Sequence, residues 1–482
     1  MKYVFYDLET TGKNKDWSQI IQFGAVCVDE QFNELDRFET RCRLKTGLVP
    51  EPEALIVNNT SIKNLENTNL SHYDLTKDIK RKIENWSPAI FFGYNSINFD
   101  EEIIRKTFFK TLFNAYVTQL EGNKRGDILN VIRSFHNYDN TYLKTIINSK
   151  GNSSFKLEDL AKENQINHKA HDAMGDVLAT VDLAKIVKKI DYDIWKQILL
   201  TCSKKDVDNF INLNENFSLN EFSFGKLKTS LVTSICNHPN YNYPQCYDLS
   251  IDPEPILSLS YQDLKKRMKE KPKFLKTLGH NKHPSIFDNN YFFEINNISK
   301  TEKDLFENRS SKIRSNKEFI ERIKLILDEE YHDKENLKPQ NDILAEESLY
   351  FGGFPSNKDK NLMEEFHLSS WKDKCIISER FEDKRYEYFA KKIIYEEAPE
   401  NLPTEIFNKF HKQIGEQIMT LDDVPWFTIP KAYKQIDDLR NKYTIEKNNE
   451  RLNFVEEINI YIKKWKKFIP PLNFYRRKKC QF

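Results

Sequence analysis

Residues 3–9 read Tyr-Val-Phe-Tyr-Asp-Leu-Glu, an aromatic and branched run with the texture of a buried β-strand that closes on two acids. Side chains alternate across a strand, so Asp7 and Glu9 share one face, their bases about 7 Å apart. Two carboxylates buried side by side repel each other and resist ionisation unless a cation sits between them. A divalent metal at the end of the first strand resolves that conflict, and a solvated strand end is the other reading of the pair taken alone. All-oxygen ligation suits Mg²⁺ or Mn²⁺, and two such ions about 3.5–4 Å apart are a recurrent device for displacing a phosphate ester. Acid-x-acid triplets are common in a chain with 73 acids, so the reading needs more carboxylates.

Two later stretches supply them. In FFGYNSINFDEEIIRK (residues 91–106) an apolar strand passes through a turn at Gly93 into a helix opening at Asp100, with Glu101 and Glu102 in its first turn. Taken alone, Asp100 is explained as a capping acid that complements the helix dipole. HKAHDAMGDVLATVDLAKIV (residues 168–187) carries His171 and Asp176 at the front of a long amphipathic helix. Five residues turn through about 140° on a helix, so the two cannot share a helical face, and His171 is expected on the preceding loop.

Together, D-x-E (Asp7 to Glu9), N-x-x-x-F-D (Asn95 to Asp100) and H-x-x-x-x-D (His171 to Asp176) resemble the DEDDh branch of the RNase H-like 3′-to-5′ exonucleases. The five-residue interval from His171 to Asp176 is that of the histidine branch. The segments GYNSINFDEE, SFKLEDLAKENQINHKAHDAMGDVLAT and SLYFGGF are similar to bacterial exonuclease I, the family that degrades single-stranded DNA.

That resemblance implies an α/β RNase H-like exonuclease domain over residues 1–190. It implies an α+β middle domain with an SH3-like β-barrel over 191–341 and a C-terminal α-helical domain over 342–482. The texture agrees: strands and helices alternate up to 190, short strand-like pieces such as 231–235 follow, and helical periodicity dominates at 386–395, 405–418 and 451–468. The implied activity is release of 5′-mononucleotides from the 3′ end of single-stranded DNA, in repair and recombination. Asp7, Glu9, Asp100 and Asp176 would hold two Mg²⁺ ions, with Mn²⁺ as a substitute. Glu9 would lie beside the terminal nucleotide, and His171 would serve as general base, a task for which an ordinary pKa near 6.5 is suited.

A single strand is gripped by a basic groove with stacking aromatics, since every base offers a π-face. Arg105, one turn beyond Asp100, could reach a phosphate or could pair with Glu101 at i,i+4. Tyr350, Phe351 and Phe354 could stack on bases or pack in a core. The basic runs at 463–468 and 476–479 could touch DNA or the acidic tail of single-strand binding protein, a partner the resemblance implies, or could simply be solvated.

Lys+Arg 74 against Asp+Glu 73 excludes a global basic field, so a polyanion must be held by a local patch. Seven scattered cysteines without a C-x-x-C pair argue against zinc and against a disulfide framework. With no run of about 18 apolar residues and no secretory leader at the start, the expectation is a cytoplasmic monomer without a membrane partner. Compact one-domain ribonucleases of the same superfamily are the nearest rival, but 482 residues extend far past one nuclease domain. A non-catalytic single-strand binding module is the other, and such a module has no need to keep four acids and a histidine in pattern.

Overall fold

Strand β1 (Lys2–Thr10) is apolar on both faces because both are covered. Tyr3 and Phe5 enter one core with Val177 and Val181, whereas Val4, Tyr6 and Leu8 enter another with Ile79, Ile83 and Ile103. The computed structural model describes residues 1–168, 170, 172–223, 225–337 and 343–465. β1 is central in a sheet with β2 (Ile20–Val28), β3 (Glu34–Arg41), β4 (Ala89–Gly93) and β5 (Lys124–Asp127), in the order β3-β2-β1-β4-β5. The β1–β2–β3 meander is antiparallel, and β1, β4 and β5 are parallel.

Parallel pairs need crossover connections, which here include the helices His72–Trp86 and Asp100–Lys110. Parallel strands also deliver their C-terminal ends to one side of the sheet, the side where ligands bind in open α/β folds. Glu9, the turn after Gly93 and Asp127 thus arrive together. The helix Ala173–Ile190 lies on β1 and β2, burying Met174, Val177 and Val181. This core also draws in Trp195, Ile198 and Cys202, from beyond residue 190. Trp195 is fully buried, its ring against those of Tyr3, Phe32 and Phe92.

The second sheet contains β6 (Asn216–Ser223), β7 (Lys226–Asn237), β8 (Pro244–Asp248), β9 (Leu275–Thr277) and β10 (Ile286–Asp288), all antiparallel, in the order β10-β6-β7-β8-β9. It differs from the closed SH3-like barrel expected from the resemblance. Among the described residues β9 and β10, three residues each, do not pair with one another, and the sheet stays open. Helices Lys300–Ser315 and Lys317–Leu337 follow, with Phe306, Ile313, Phe319 and Ile323 packed against Leu231 and Tyr247.

Residues 343–465 are helical and share their cores with the first sheet's helices. Phe366, Phe389 and Ile393 pack with Tyr73, Phe109 and Leu112, while Ile429, Ile436 and Ile458 pack with Leu55 and Ile62. The expected boundary at 341/342 lies outside the described residues. No helix of the described residues is long and apolar enough to cross a membrane.

Candidate active site

Asp7, Glu9 and Asp176 each present a carboxylate oxygen within 4.8 Å of the other two. Asp7 and Glu9 arrive there by strand alternation, and Asp176 by a close helix–sheet approach. The cross-strand partner of Asp7 is Gly24. A Cβ on Gly24 would stand 2.9 Å from both the Ala173 carbonyl carbon and the Met174 nitrogen. Only a bare backbone lets the helix start touch β2 at this point, and Asp176 lies within its first turn. Gly24→Ala is accordingly expected to push the helix outward, at about 1–3 kcal/mol in stability and a tenfold to hundredfold loss of turnover, on the order expected for sub-ångström to 1 Å misplacement. Thermal melting and turnover measured on the same preparation check it.

Asp100 is the first residue of its helix and is buried. It stands outside the 4.8 Å grouping, yet after burial its charge is the strongest influence on Asp7, ahead of Asp176 and Glu9. Together these hold Asp7 well above the carboxylate range. Burial, then Asp176 and Asp100, push Glu9 up to about 8, with Arg41 opposing. Burial pushes Asp100 up to about 8 as well, with Asp127, Glu101 and Asp176 adding to it and a backbone hydrogen bond opposing. Such a cluster cannot ionise fully on its own, and a divalent cation removes the conflict. Three converging carboxylate oxygens with a fourth acid beside them fit a hard, oxygen-seeking ion.

The sign of the pH dependence follows. Glu9 and Asp100 titrate near 8 when folded against 4.5 and 3.8 ordinarily, so the metal-free fold binds more protons than the unfolded chain between about pH 4 and 8. Its stability is therefore expected to fall as pH rises through that window. Metal binding displaces those protons, so added Mg²⁺ is expected to raise Tm more at pH 8 than at pH 6. Melting curves with Mg²⁺ and with EDTA at the two pH values measure this.

The immediate sequence neighbours of Asp7 and Asp100 lock their elements together on the opposite side. Tyr6, next to Asp7, donates from its hydroxyl to Glu101 Oε2 at 2.8 Å, and Glu101 is next to Asp100. Glu101, fully buried, also accepts from Thr118 Oγ1 at 2.6 Å and faces Arg105 at 3.3 Å and Arg125 at 3.1 Å. Despite burial, Arg125 and Arg105 hold it below its ordinary pKa. Asp127, at the end of β5, accepts from the backbone N–H groups of Asn95 at 2.9 Å, Ile97 at 3.3 Å and Leu129 at 3.0 Å. It thereby shapes the loop before Asp100, in which Asn95 takes a φ of +61°.

His171 lies outside the described residues. His168, which the motif reading passes over, places Nε2 2.5 Å from Asp176 Oδ1. Its only signal in the sequence is its place as the first histidine of HKAH. Arg105 is 8% exposed and turned inward, paired with Glu101, with Glu102 at 3.2 Å and with Gln119 at 2.7 Å. Tyr350 donates to Glu102 Oε2 at 2.6 Å, so the YFGGF stretch sits against the Asp100 helix. Phe351 and Phe354 are 60% and 80% exposed, out of any core. Lys464 pairs with Glu66 at 2.8 Å, and residues 466–482, with the basic run at 476–479, lie outside the described residues. A cleft of about 1040 Å³ opens beside Asp176 and is lined by His168, Tyr94, Lys156, Arg133 and Phe222. The Arg133 guanidinium lies 3.7 Å from the centre of the Phe222 ring, and its Nε has no hydrogen-bond partner among the described residues. Sequence reading assigns no role to Arg133, Lys156 or Phe222, and Phe222 on β6 meets Arg133 only because the second sheet reaches the helix Ile128–Tyr138.

Residues 4–184 match the exonuclease family, and residues 342–465 match the exonuclease I C-terminal domain. Exodeoxyribonuclease I of Buchnera aphidicola is 34% identical over 190 residues, covering 39% of this chain and 46% of the relative. Its counterpart from Haemophilus influenzae is 26% identical over 380 residues, 75% of this chain and 79% of the relative. The chain thus aligns with about half the length of the first of these relatives and most of the second. In fold, E. coli exonuclease I in complex with a dA16 oligonucleotide matches with a TM-score of 0.81 at 21% identity, over 96% of this chain and 99% of that one. The ExoI/SSB-Ct complex matches at 0.80 and 21%, over 97% and 99%. The first sheet with its covering helices is the part similar to the exonuclease family, and Asp7, Glu9 and Asp176 converge at the C-terminal end of its central strand. Along the chain, a match to the exonuclease family is thus followed by a match to the exonuclease I C-terminal domain.

Proposed function

We propose that this protein hydrolyses single-stranded DNA from the 3′ end and releases 5′-mononucleotides. The observation that carries the reading is the convergence of Asp7, Glu9 and Asp176 within 4.8 Å, beside buried Asp100. These four carboxylates would hold two divalent ions, Mg²⁺ by preference and Mn²⁺ in its place. When bound, such ions supply charge neutralisation at the scissile phosphate and acidify the attacking water. Glu9, nearest the strand end, lies beside the terminal nucleotide. His171, outside the described residues, accepts the proton of the attacking water in this reading. His168, hydrogen-bonded to Asp176 Oδ1, holds that carboxylate in its rotamer.

The strand would be gripped in the cleft beside Asp176 and against the exposed rings at the YFGGF stretch, with Arg105 supporting that wall through Glu102, the acid that also accepts from Tyr350. Phe354→Ala and Phe351→Ala are expected to weaken single-strand binding by about 1–3 kcal/mol per lost stack, leaving kcat and Tm near wild type because both rings are exposed. Fluorescence anisotropy with a labelled oligonucleotide in EDTA measures this. The acidic tail of single-strand binding protein is the proposed protein partner, supported by the fold match to the ExoI/SSB-Ct complex. A cytoplasmic site of action in repair and recombination belongs to the same reading, supported by the free thiols of Cys27, Cys42, Cys202 and Cys246. The second sheet is read as an SH3-like barrel left open. Four strands in a meander and the fifth returning beside the first support that reading.

The test is a single-stranded oligodeoxynucleotide labelled at either end, with Mg²⁺, a duplex control and an RNA of equal length. A 3′ label released as mononucleotide while the 5′-labelled strand shortens stepwise is the expected result. RNA degraded as fast as DNA, or hydrolysis that persists in EDTA, would overturn it.

A further inference from the structure

We propose that Arg41, on the edge strand β3, is a positioning residue for the carboxylate cluster. Acting through Asp172, it draws the start of the Asp176 helix onto the sheet. The inference rests on the exonuclease reading above for its catalytic consequence, but not for its geometry.

Asp172 stands at the N-cap of the helix Ala173–Ile190 with extended backbone, φ −132° and ψ 116°. An aspartate there ordinarily accepts a hydrogen bond from a backbone N–H of its own first turn. Asp127, Asp191 and Asp288 do so at their helices, accepting from Leu129, Ile194 and Asn290. Asp172 makes no such bond. Its Oδ1 is engaged sideways instead, by Arg41 Nη2 at 2.8 Å and Gln22 Nε2 at 3.2 Å. Glu39 steadies both donors, accepting from Gln22 Nε2 at 3.0 Å and from Arg41 Nη2 at 3.1 Å.

The donors belong to one row of the sheet. Glu9 on β1 pairs with Gln22 on β2, and Gln22 pairs with Arg41 on β3. Directly opposed residues share a face, so Glu9, Gln22 and Arg41 lie side by side under the helix start. Asp172 docks on the outer two positions, and Asp176 reaches the Glu9 end. Repulsion of Asp176 by Asp7 and Glu9 works to make the helix start retreat from the sheet. A tether at Asp172 opposes that retreat. Arg41 is 45% exposed along its side chain, and surface ion pairs contribute little to global stability. Its effect therefore belongs in placement rather than in melting temperature.

Arg41→Met, Arg41→Lys, Asp172→Asn and the double variant Arg41→Met/Asp172→Asn are compared with wild type. The readouts are kcat and KM on single-stranded DNA, Tm, and hydrogen exchange of the amides of residues 173–176 in EDTA without DNA. Arg41→Met is expected to lower kcat about tenfold, the scale of lost outer support at a ligand, with KM and Tm unchanged and faster exchange in that turn. Arg41→Lys is expected to recover part of the loss, and the double variant to be no worse than the poorer single one. Unchanged kcat, a loss confined to KM or Tm, multiplying single losses or unaltered exchange would each overturn the proposal. A wild-type protein inactive on DNA would instead sink the exonuclease reading, with the exchange data still deciding the tether.

Discussion

Asp7→Asn is expected to lower the rate of 3′-end hydrolysis by about 100- to 1,000-fold and, in EDTA at pH 8, to melt at a higher temperature than wild type. The two effects share one cause. Burial, with Asp100, Asp176 and Glu9 nearby, holds the Asp7 carboxyl far above its ordinary range, so forcing it to ionise works against the fold. An uncharged amide of the same shape removes that conflict. The advantage of the variant should shrink as pH falls toward 5, where the wild-type cluster is protonated. With excess Mg²⁺ the order should reverse, because only wild type gains the full linkage stabilisation from the ion. Melting curves in EDTA and in Mg²⁺ at pH 5 and 8, beside turnover, measure all four arms. A variant less stable than wild type in EDTA at pH 8 would mean that the Asp7 carboxylate supports the metal-free fold.

Glu101→Ala is expected to be the most destabilising single change near the site, costing about 3–5 kcal/mol, the scale for removing one member of a buried ion network. Arg105 and Arg125, 8% and 5% exposed, would be left facing each other without the carboxylate between them. Tyr6 and Thr118 would lose their acceptor. Because Tyr6 adjoins Asp7 and Glu101 adjoins Asp100, the loss should reach catalysis as well, loosening the strand from the helix that brings the fourth acid. Glu101→Gln, which keeps the shape and the acceptor oxygen, should fall between. Denaturant unfolding of the three proteins ranks them. Equal stability of Glu101→Ala and wild type would show that the two arginines find other partners or water.

Much of the acid cluster is legible in the sequence because it depends on short-range periodicity. Strand alternation alone puts Asp7 and Glu9 on one face, and the turn after Gly93 puts Asp100 at a helix start, where it is found. The helix Ala173–Ile190 carries Asp176 in its first turn, as the pattern requires. What cannot be read is whatever depends on which surfaces meet. Gly24 looks like any strand glycine until a helix start lies on it. Glu101 reads as one more acid of a helical first turn, since nothing local signals that Arg125, on β5, will face it. Arg105 carries two local readings, phosphate contact and an i,i+4 pair, and in the structure it faces Glu101. Closure of the second sheet depends on whether two three-residue edges can reach one another, which strand propensity does not encode. His168 against Asp176 follows from the path of one loop rather than from motif spacing.

The central claim, that acids from three distant segments gather to hold divalent metal, is tested most directly by anomalous diffraction from crystals of the full chain soaked in Mn²⁺. Peaks bounded by Asp7, Glu9, Asp100 and Asp176 are the predicted result. Absence of an ordered ion there at saturating Mn²⁺, or an Asp100 or Asp176 side chain turned away from the strand end, would contradict it.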